Sequence, residues 1–175
     1  MTSSKVSIGL VNPKNPENVG SVMRAAGNYQ VDSIFYTGTR YPRALSYQPR
    51  SVDMSRKVSE NVSVTGVNNL MNAVAEGMTI VCIEFAINAH SLPEFEHPEN
   101  AFYIFGPEDG SISQEVINKA DTVVYIPTIG CMNLAATVNV VLYDRLAKNA
   151  HNSGSNTLIR QSRDTNNRLK IEPVV

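Results

Sequence analysis

Apolar runs alternate along the chain with mixed, helically patterned stretches. Runs at residues 5–11, 33–37, 62–65, 79–85, 101–105 and 121–126 are rich in Val, Ile, Phe and Tyr and predict strands. The 79–85 run is broken only by Glu84, as expected of a parallel strand buried on both faces. Between these runs the spacing predicts a helix over 19–29, with Val22, Met23, Ala25 and Ala26 as its apolar side. Asn18 is its expected cap and Gly27-Asn28 its left-handed exit. Further helices are expected over 67–75, behind Asn68 and Asn69, and from Ser111 and Ser113 through Lys119, with Glu115 in the first turn. Residues 86–98 read as a loop with one turn at 92–95. The strongest helical pattern comes last, with Leu134, Val138, Val141, Leu142 and Leu146 at three- and four-residue steps. Its first turn carries Cys131, Asn133, Ala135 and Ala136, small or polar residues that let a backbone or ligand come close.

Alternating strands and helices imply an α/β domain with a mainly parallel sheet flanked by helices. Ligands of such sheets sit beyond the carboxyl ends of the strands. Three irregular segments fall at those ends: the Asn18 loop, residues 106–110 and residues 128–133. Their shared location marks a candidate site. Residues 38–57 are less regular and basic, with Arg40, Arg43, Arg50, Arg56 and Lys57 against Asp53, and with Tyr41 and Tyr47 interleaved. Cations and aromatic faces together hold RNA backbone and splayed bases. A solvated surface loop is the alternative.

Composition narrows the classes. At 175 residues and 42% hydrophobic, the chain supports one domain, expected over 1–148, with a polar, weakly basic, flexible tail over 149–175. The tail is a candidate RNA-binding arm through Arg160, Arg163, Arg168 and Lys170. Net charge is −1, so any nucleic-acid contact must come from a local patch. The first residues lack a signal peptide's apolar region and no run approaches membrane-spanning length, giving a cytoplasmic expectation with no membrane partner. Cys82 and Cys131 have no metal-like spacing and read as reduced thiols, Cys82 in the core. No metal site, Walker loop or dinucleotide fingerprint is present in the sequence. His90, His97 and His151 lie in expected loops and read as surface residues.

Three motifs remain. Residues 18–27, Asn-Val-Gly-Ser-Val-Met-Arg-Ala-Ala-Gly, resemble the first motif of the TrmH-like RNA ribose methyltransferases of the SPOUT class. Phe105-Gly106-Pro107-Glu108-Asp109-Gly110 resembles the second. Ile126-Pro127, then Met132-Asn133-Leu134 ahead of a helix ending Leu142-Tyr143-Asp144, resembles the third. The likeness covers about residues 5–148 and is nearest to the short members that methylate tRNA ribose at the 2′-oxygen.

The resemblance implies a C-terminal trefoil knot, a homodimer with composite sites, and S-adenosylmethionine as cofactor. Carried over by position, Ile83, Glu84, Gly106, Ile126, Cys131 and Leu134 hold the cofactor. Arg24 acts at the ribose hydroxyl of RNA, with Asn18 nearby and Glu108 bracing the loop. Two departures stand out: Ala135 replaces the family's usual Ser, and the loop between Pro127 and Met132 is several residues short. They keep open a non-catalytic, knotted RNA-binding protein, and an rRNA substrate is a further alternative to tRNA.

Overall fold

The computed structural model describes residues 4–47, 62–149, 154–162 and 168–171. In chain order the elements are β1 (Val6–Leu10), α1 (Pro16–Asn28), β2 (Ser33–Tyr36), α2 (Arg40–Tyr47), β3 (Ser63–Gly66), β4 (Thr79–Ile83), β5 (His90–Ser91), β6 (Ala101–Phe105), α3 (Gln114–Ile117), β7 (Thr122–Tyr125), α4 (Leu134–Lys148) and α5 (Asn156–Ser162). The seven strands form one sheet in the order β3-β2-β1-β6-β4-β7-β5, and every pairing is parallel. Register decides where the site falls. Leu10 and Ile83 both sit level with Phe105, and Val124 sits level with Ile83. The loops leaving β1, β4, β6 and β7 therefore emerge at one height.

Central β6 is buried along its whole length. Its Ala101, Tyr103 and Phe105 pack in one cluster with Val19 and Val22 of α1 and Val138, Val141 and Leu142 of α4. Phe102 and Ile104 face the other way, against Leu70, Cys82 and Ile112. Both faces of a parallel strand need covering, which is why β6 reads as a solid apolar run. Gly9 in β1 lets the Phe102 ring lie close, since a Cβ there would stand 2.7 Å from Phe102 Cε1. Burial pushes the Cys82 thiol up to about 12, with Glu84 adding to the shift, so this sulfur stays protonated in the core.

Several boundaries differ from the sequence expectation. α1 begins at Pro16 and is capped by Asn15, whose Oδ1 accepts from Glu17 N at 2.8 Å; Asn18 lies inside the first turn. Proline at the first helical position needs no N–H partner, so the Asn15-Pro16 pair sets the start. The left-handed residue after α1 is Gln30 (φ 57°), not Gly27 or Asn28. α2 occupies part of the expected 38–57 loop. Tyr41 packs in the core and Leu45 against it, one turn apart, a signal too short to stand out amid arginines. The 67–75 helix is a single 3₁₀ turn, Leu70–Ala73, capped by Asn69 and ended by extended Val74. Two-residue β5 adds a sheet edge within the expected 86–98 loop. Arg50, Arg56, Lys57, Arg163 and His151 lie outside the described residues. In the tail, α5 is exposed, with Ser155 Oγ accepting from Leu158 N at 3.1 Å.

His97 is buried, contrary to the surface expectation. Its side chain is only 4% exposed because residues 92–99 fold against the end of α4. His97 Nε2 meets Asp144 Oδ2 at 2.9 Å and Nδ1 meets the Tyr103 hydroxyl at 2.6 Å. Arg145 donates to the Pro98 and Glu99 carbonyls at 2.6 and 2.7 Å, and Lys148 to those of Leu92 and Phe95 at 2.6 and 3.0 Å. Two cations from the last turn of α4 thus hold the carbonyls of one upstream segment.

Candidate functional site

The loops after β4, β6 and β7 and the start of α4 enclose a cleft of about 340 Å³, a size suited to a small molecule. Ile83, Phe105 and Leu134 form its buried apolar floor, with Ile126 partly buried beside them. The Gly106–Gly110 segment makes one wall, Thr128 and Cys131 another, and Phe85 and Tyr125 also face it. The structure brings together all six sequence-chosen positions for the small ligand: Ile83, Glu84, Gly106, Ile126, Cys131 and Leu134. Glu108 lines the same cleft.

Side-chain hydrogen bonds join the three motifs. Asn133 caps α4, its Oδ1 accepting from Ala135 N at 2.9 Å and Ala136 N at 3.3 Å. Its Nδ2 donates to Asn18 Oδ1 at 2.9 Å, and Asn18 Nδ2 donates to Glu108 Oε1 at 3.1 Å. Glu108 also accepts from Lys14 N at 2.9 Å and Asn15 N at 3.1 Å. Partial burial disfavours the charged form of Glu108. The Asn18 amide and the surrounding backbone N–H groups outweigh it and hold the carboxyl below the usual carboxylate range. Glu84 braces the far side, accepting from Phe85 N at 3.0 Å and from Ile112 N at 2.9 Å. The linking role of Asn133 was missed in the sequence, although an Asn directly before Leu134 is a readable cap.

The basic residues divide. Arg40 is tied inward: Nη1 donates to both Asp109 oxygens at 2.8 Å, while Nε and Nη2 donate to Asn12 O at 3.1 and 2.6 Å. That guanidinium holds the Asp109 carboxyl below its usual range. Arg43 is exposed on α2. Arg24 is exposed on α1 and does not line the cleft of its own chain. It lies six residues past Asn18, about 9 Å farther along the helix axis. Nothing in the sequence pattern signalled Asp109 or Asn12 as partners of Arg40.

The lining is chemically selective. It includes Glu84, Glu108 and Asp109, and no Lys, Arg or His among the described residues. The nearest cations, Arg40 and Lys14, are paired to Asp109 at 2.8 and 3.8 Å. A ligand with an apolar ring system and a positive centre suits both the floor and the rim. Among the described residues no His, Cys, Asp or Glu group is arranged to hold a metal, and no helix is long and apolar enough to cross a membrane.

A parallel sheet with a cleft at its strand ends, closed by the start of a capped helix, is the fold of the SPOUT-class methyltransferases. The chain belongs to the SpoU rRNA methylase family, matching it over residues 5–143. It is 26% identical over 182 residues to the tRNA (cytidine-2′-O-)-methyltransferase TrmJ of Methanocaldococcus jannaschii, covering 95% of this chain and 78% of that protein. Among solved structures, the SpoU methyltransferase AviRb of Streptomyces viridochromogenes, in complex with AdoMet, superposes with a TM-score of 0.67 at 18% identity. That match covers 83% of this chain and 58% of AviRb. A structure described for 2-OH methylation of C/U34 on tRNA superposes at 0.66 and 19% identity, over 84% of this chain and 92% of its own.

Proposed function

We propose that this chain is a cytoplasmic tRNA ribose 2′-O-methyltransferase, acting as a homodimer with α4 threaded in a trefoil knot. The observation that carries the reading is the convergence of three separate strand-end loops on one cleft, locked by the Asn133–Asn18–Glu108 hydrogen bonds. The donor set fits S-adenosylmethionine. An apolar floor receives the adenosine, and the lining carboxylates Glu84 and Glu108, which no cation pairs among the described residues, tolerate the sulfonium. When bound, that group supplies an electrophilic methyl. Gly106, Ile126 and Cys131 hold the adenosine, with Ile83, Glu84 and Leu134 beneath it.

This chain's own residues orient the acceptor. Arg24 lies outside its own cleft, as a residue serving the partner's site must. Guanidinium groups do not give up protons in proteins, so Arg24 binds a phosphate beside the target ribose and aligns its 2′-hydroxyl. Asn18 and Glu108 hold the first turn of α1, and Arg24 projects from the same helix farther along. Arg43, with Arg50, Arg56 and Lys57, guides the RNA backbone. Exposed Tyr143, at 61%, and Leu146 give α4 an apolar strip for the second subunit. The tRNA substrate follows the TrmJ relative and the tRNA-methylating structure, both of which align over most of their own length.

Calorimetric titration with S-adenosylmethionine, followed by mass mapping of ribose methylation in cellular RNA with and without the protein, tests this. Micromolar binding and loss of one tRNA 2′-O-methyl mark support it. Absence of binding favours the non-catalytic RNA-binding reading, which Ala135 and the short loop motivate. A lost rRNA mark moves the substrate.

A further inference from the structure

We propose that Arg40 is a positioning residue of the donor cleft rather than an RNA contact. Through Asp109 it fixes the Gly106–Gly110 wall against the turn that follows β1. The inference rests on S-adenosylmethionine occupying that cleft.

One anchor of the guanidinium is itself fixed. Asn12 has a left-handed backbone (φ 42°), and Gly38 beside it has φ 80°. Any side chain at position 38 would collide with Asn12, so the two turns nest only because residue 38 is glycine. Asn12 N donates to Thr37 Oγ1 at 3.2 Å, which ties the turns together. The carbonyl receiving Nε and Nη2 of Arg40 is thus part of a rigid turn. At the other end Asp109 lines the cleft. Its neighbour Glu108 is pinned by Lys14 N, Asn15 N and Asn18. Two adjacent carboxylates are therefore tied back to the stretch after β1, Glu108 through the Lys14 and Asn15 N–H groups and Asp109 through Arg40, with Lys14 Nζ a further 3.8 Å contact to Asp109.

All three nitrogens of Arg40 are engaged. Four of its five N–H donors are spent on Asp109 and Asn12, so a phosphate meets a guanidinium already committed to two protein anchors. Lysine at position 40 would carry the same charge as a point donor, without a planar fork able to span carbonyl and carboxylate.

The test compares wild type, Arg40→Lys, Asp109→Asn and the double variant by titration with S-adenosylmethionine and by gel-shift with tRNA. Melting curves verify folding of each. The proposal expects either single change to weaken S-adenosylmethionine about threefold to fivefold, as an exposed ion pair allows. The double variant should be no weaker than Arg40→Lys, and tRNA affinity of the unliganded protein should be unchanged. Arg40→Lys binding S-adenosylmethionine like wild type, or weakening tRNA alone, overturns it. Asp109→Asn is exposed and isosteric, so it remains informative should the Arg40 variant misfold. Failure of the wild type to bind S-adenosylmethionine is a separate outcome: the methyltransferase reading falls, and this proposal with it.

Discussion

Asn133 has two separable jobs, and two substitutions tell them apart. Its Oδ1 caps α4, and its Nδ2 reaches Asn18 at 2.9 Å. Losing an Asn cap to Ala costs about 1 kcal/mol. The second bond joins two side chains with access to water, so it contributes about 0.5 kcal/mol, the low end for a hydrogen bond. Asn133→Ala removes both and should cost about 1.5 kcal/mol. Asn133→Ser keeps a capping oxygen and loses only the bridge. For a chain of this size 1 kcal/mol moves Tm by about 2–4 °C. The Ala variant should therefore melt about 3–6 °C below wild type, and the Ser variant about 1–2 °C below. Differential scanning calorimetry at pH 7.5 or so resolves this. Equal melting of the two variants would show that the cap carries none of the energy, and the account of the motif junction would be wrong. Both variants should weaken S-adenosylmethionine alike, since both cut the bond that ties the start of α4 to Asn18.

Burial lowers the pKa of His97 below its ordinary value; Asp144 opposes the shift, and Arg145 and Lys148 add to it. The unfolded chain therefore takes up the proton first as pH falls. Stability from this site is complete above about pH 6.5 and declines below it. Urea midpoints between pH 8 and 5.5 should follow that course in wild type and flatten in His97→Gln; a wild-type midpoint that rises on acidification contradicts a neutral buried ring. Arg24→Lys should leave S-adenosylmethionine affinity unchanged while turnover drops about tenfold or more, since one point charge cannot orient phosphate and hydroxyl together; wild-type turnover refutes the role. Gly38→Ala should destabilise by about 1–3 kcal/mol, through its left-handed backbone and the collision with Asn12. Gly77→Ala, with φ 79° and nothing near its Cβ, should cost less in the same denaturation assay.

The strands and the last helix were legible because burial on two faces and on one stripe writes period and length directly into the residues. Ala101–Phe105 and the Leu134–Leu142 pattern are clear cases. The meeting place of the site was also legible, since parallel strands put their exits on one side. α2 was hidden because eight residues with one buried tyrosine carry little periodicity. The start of α1 was misplaced because Asn15 and Asn18 are equally good caps by type; only the folded chain shows Asn18 spoken for by Glu108 and Asn133. The burial of His97 and the inward bonds of Arg40 escaped the sequence for a shared reason. Whether a polar side chain faces water or a partner 28 or 47 residues away is a property of packing, and sequence neighbours carry no trace of it.

The clasp on the end of α4 has a mechanical consequence. Lys148 and Arg145 grip carbonyls 46–56 positions upstream. The last turn of α4 and residues 92–99 therefore complete each other, since the carbonyls of one are paired only when the cations of the other are in place. Unwinding of the last turn of α4 must break these four hydrogen bonds with it, so the helix end and residues 92–99 open together.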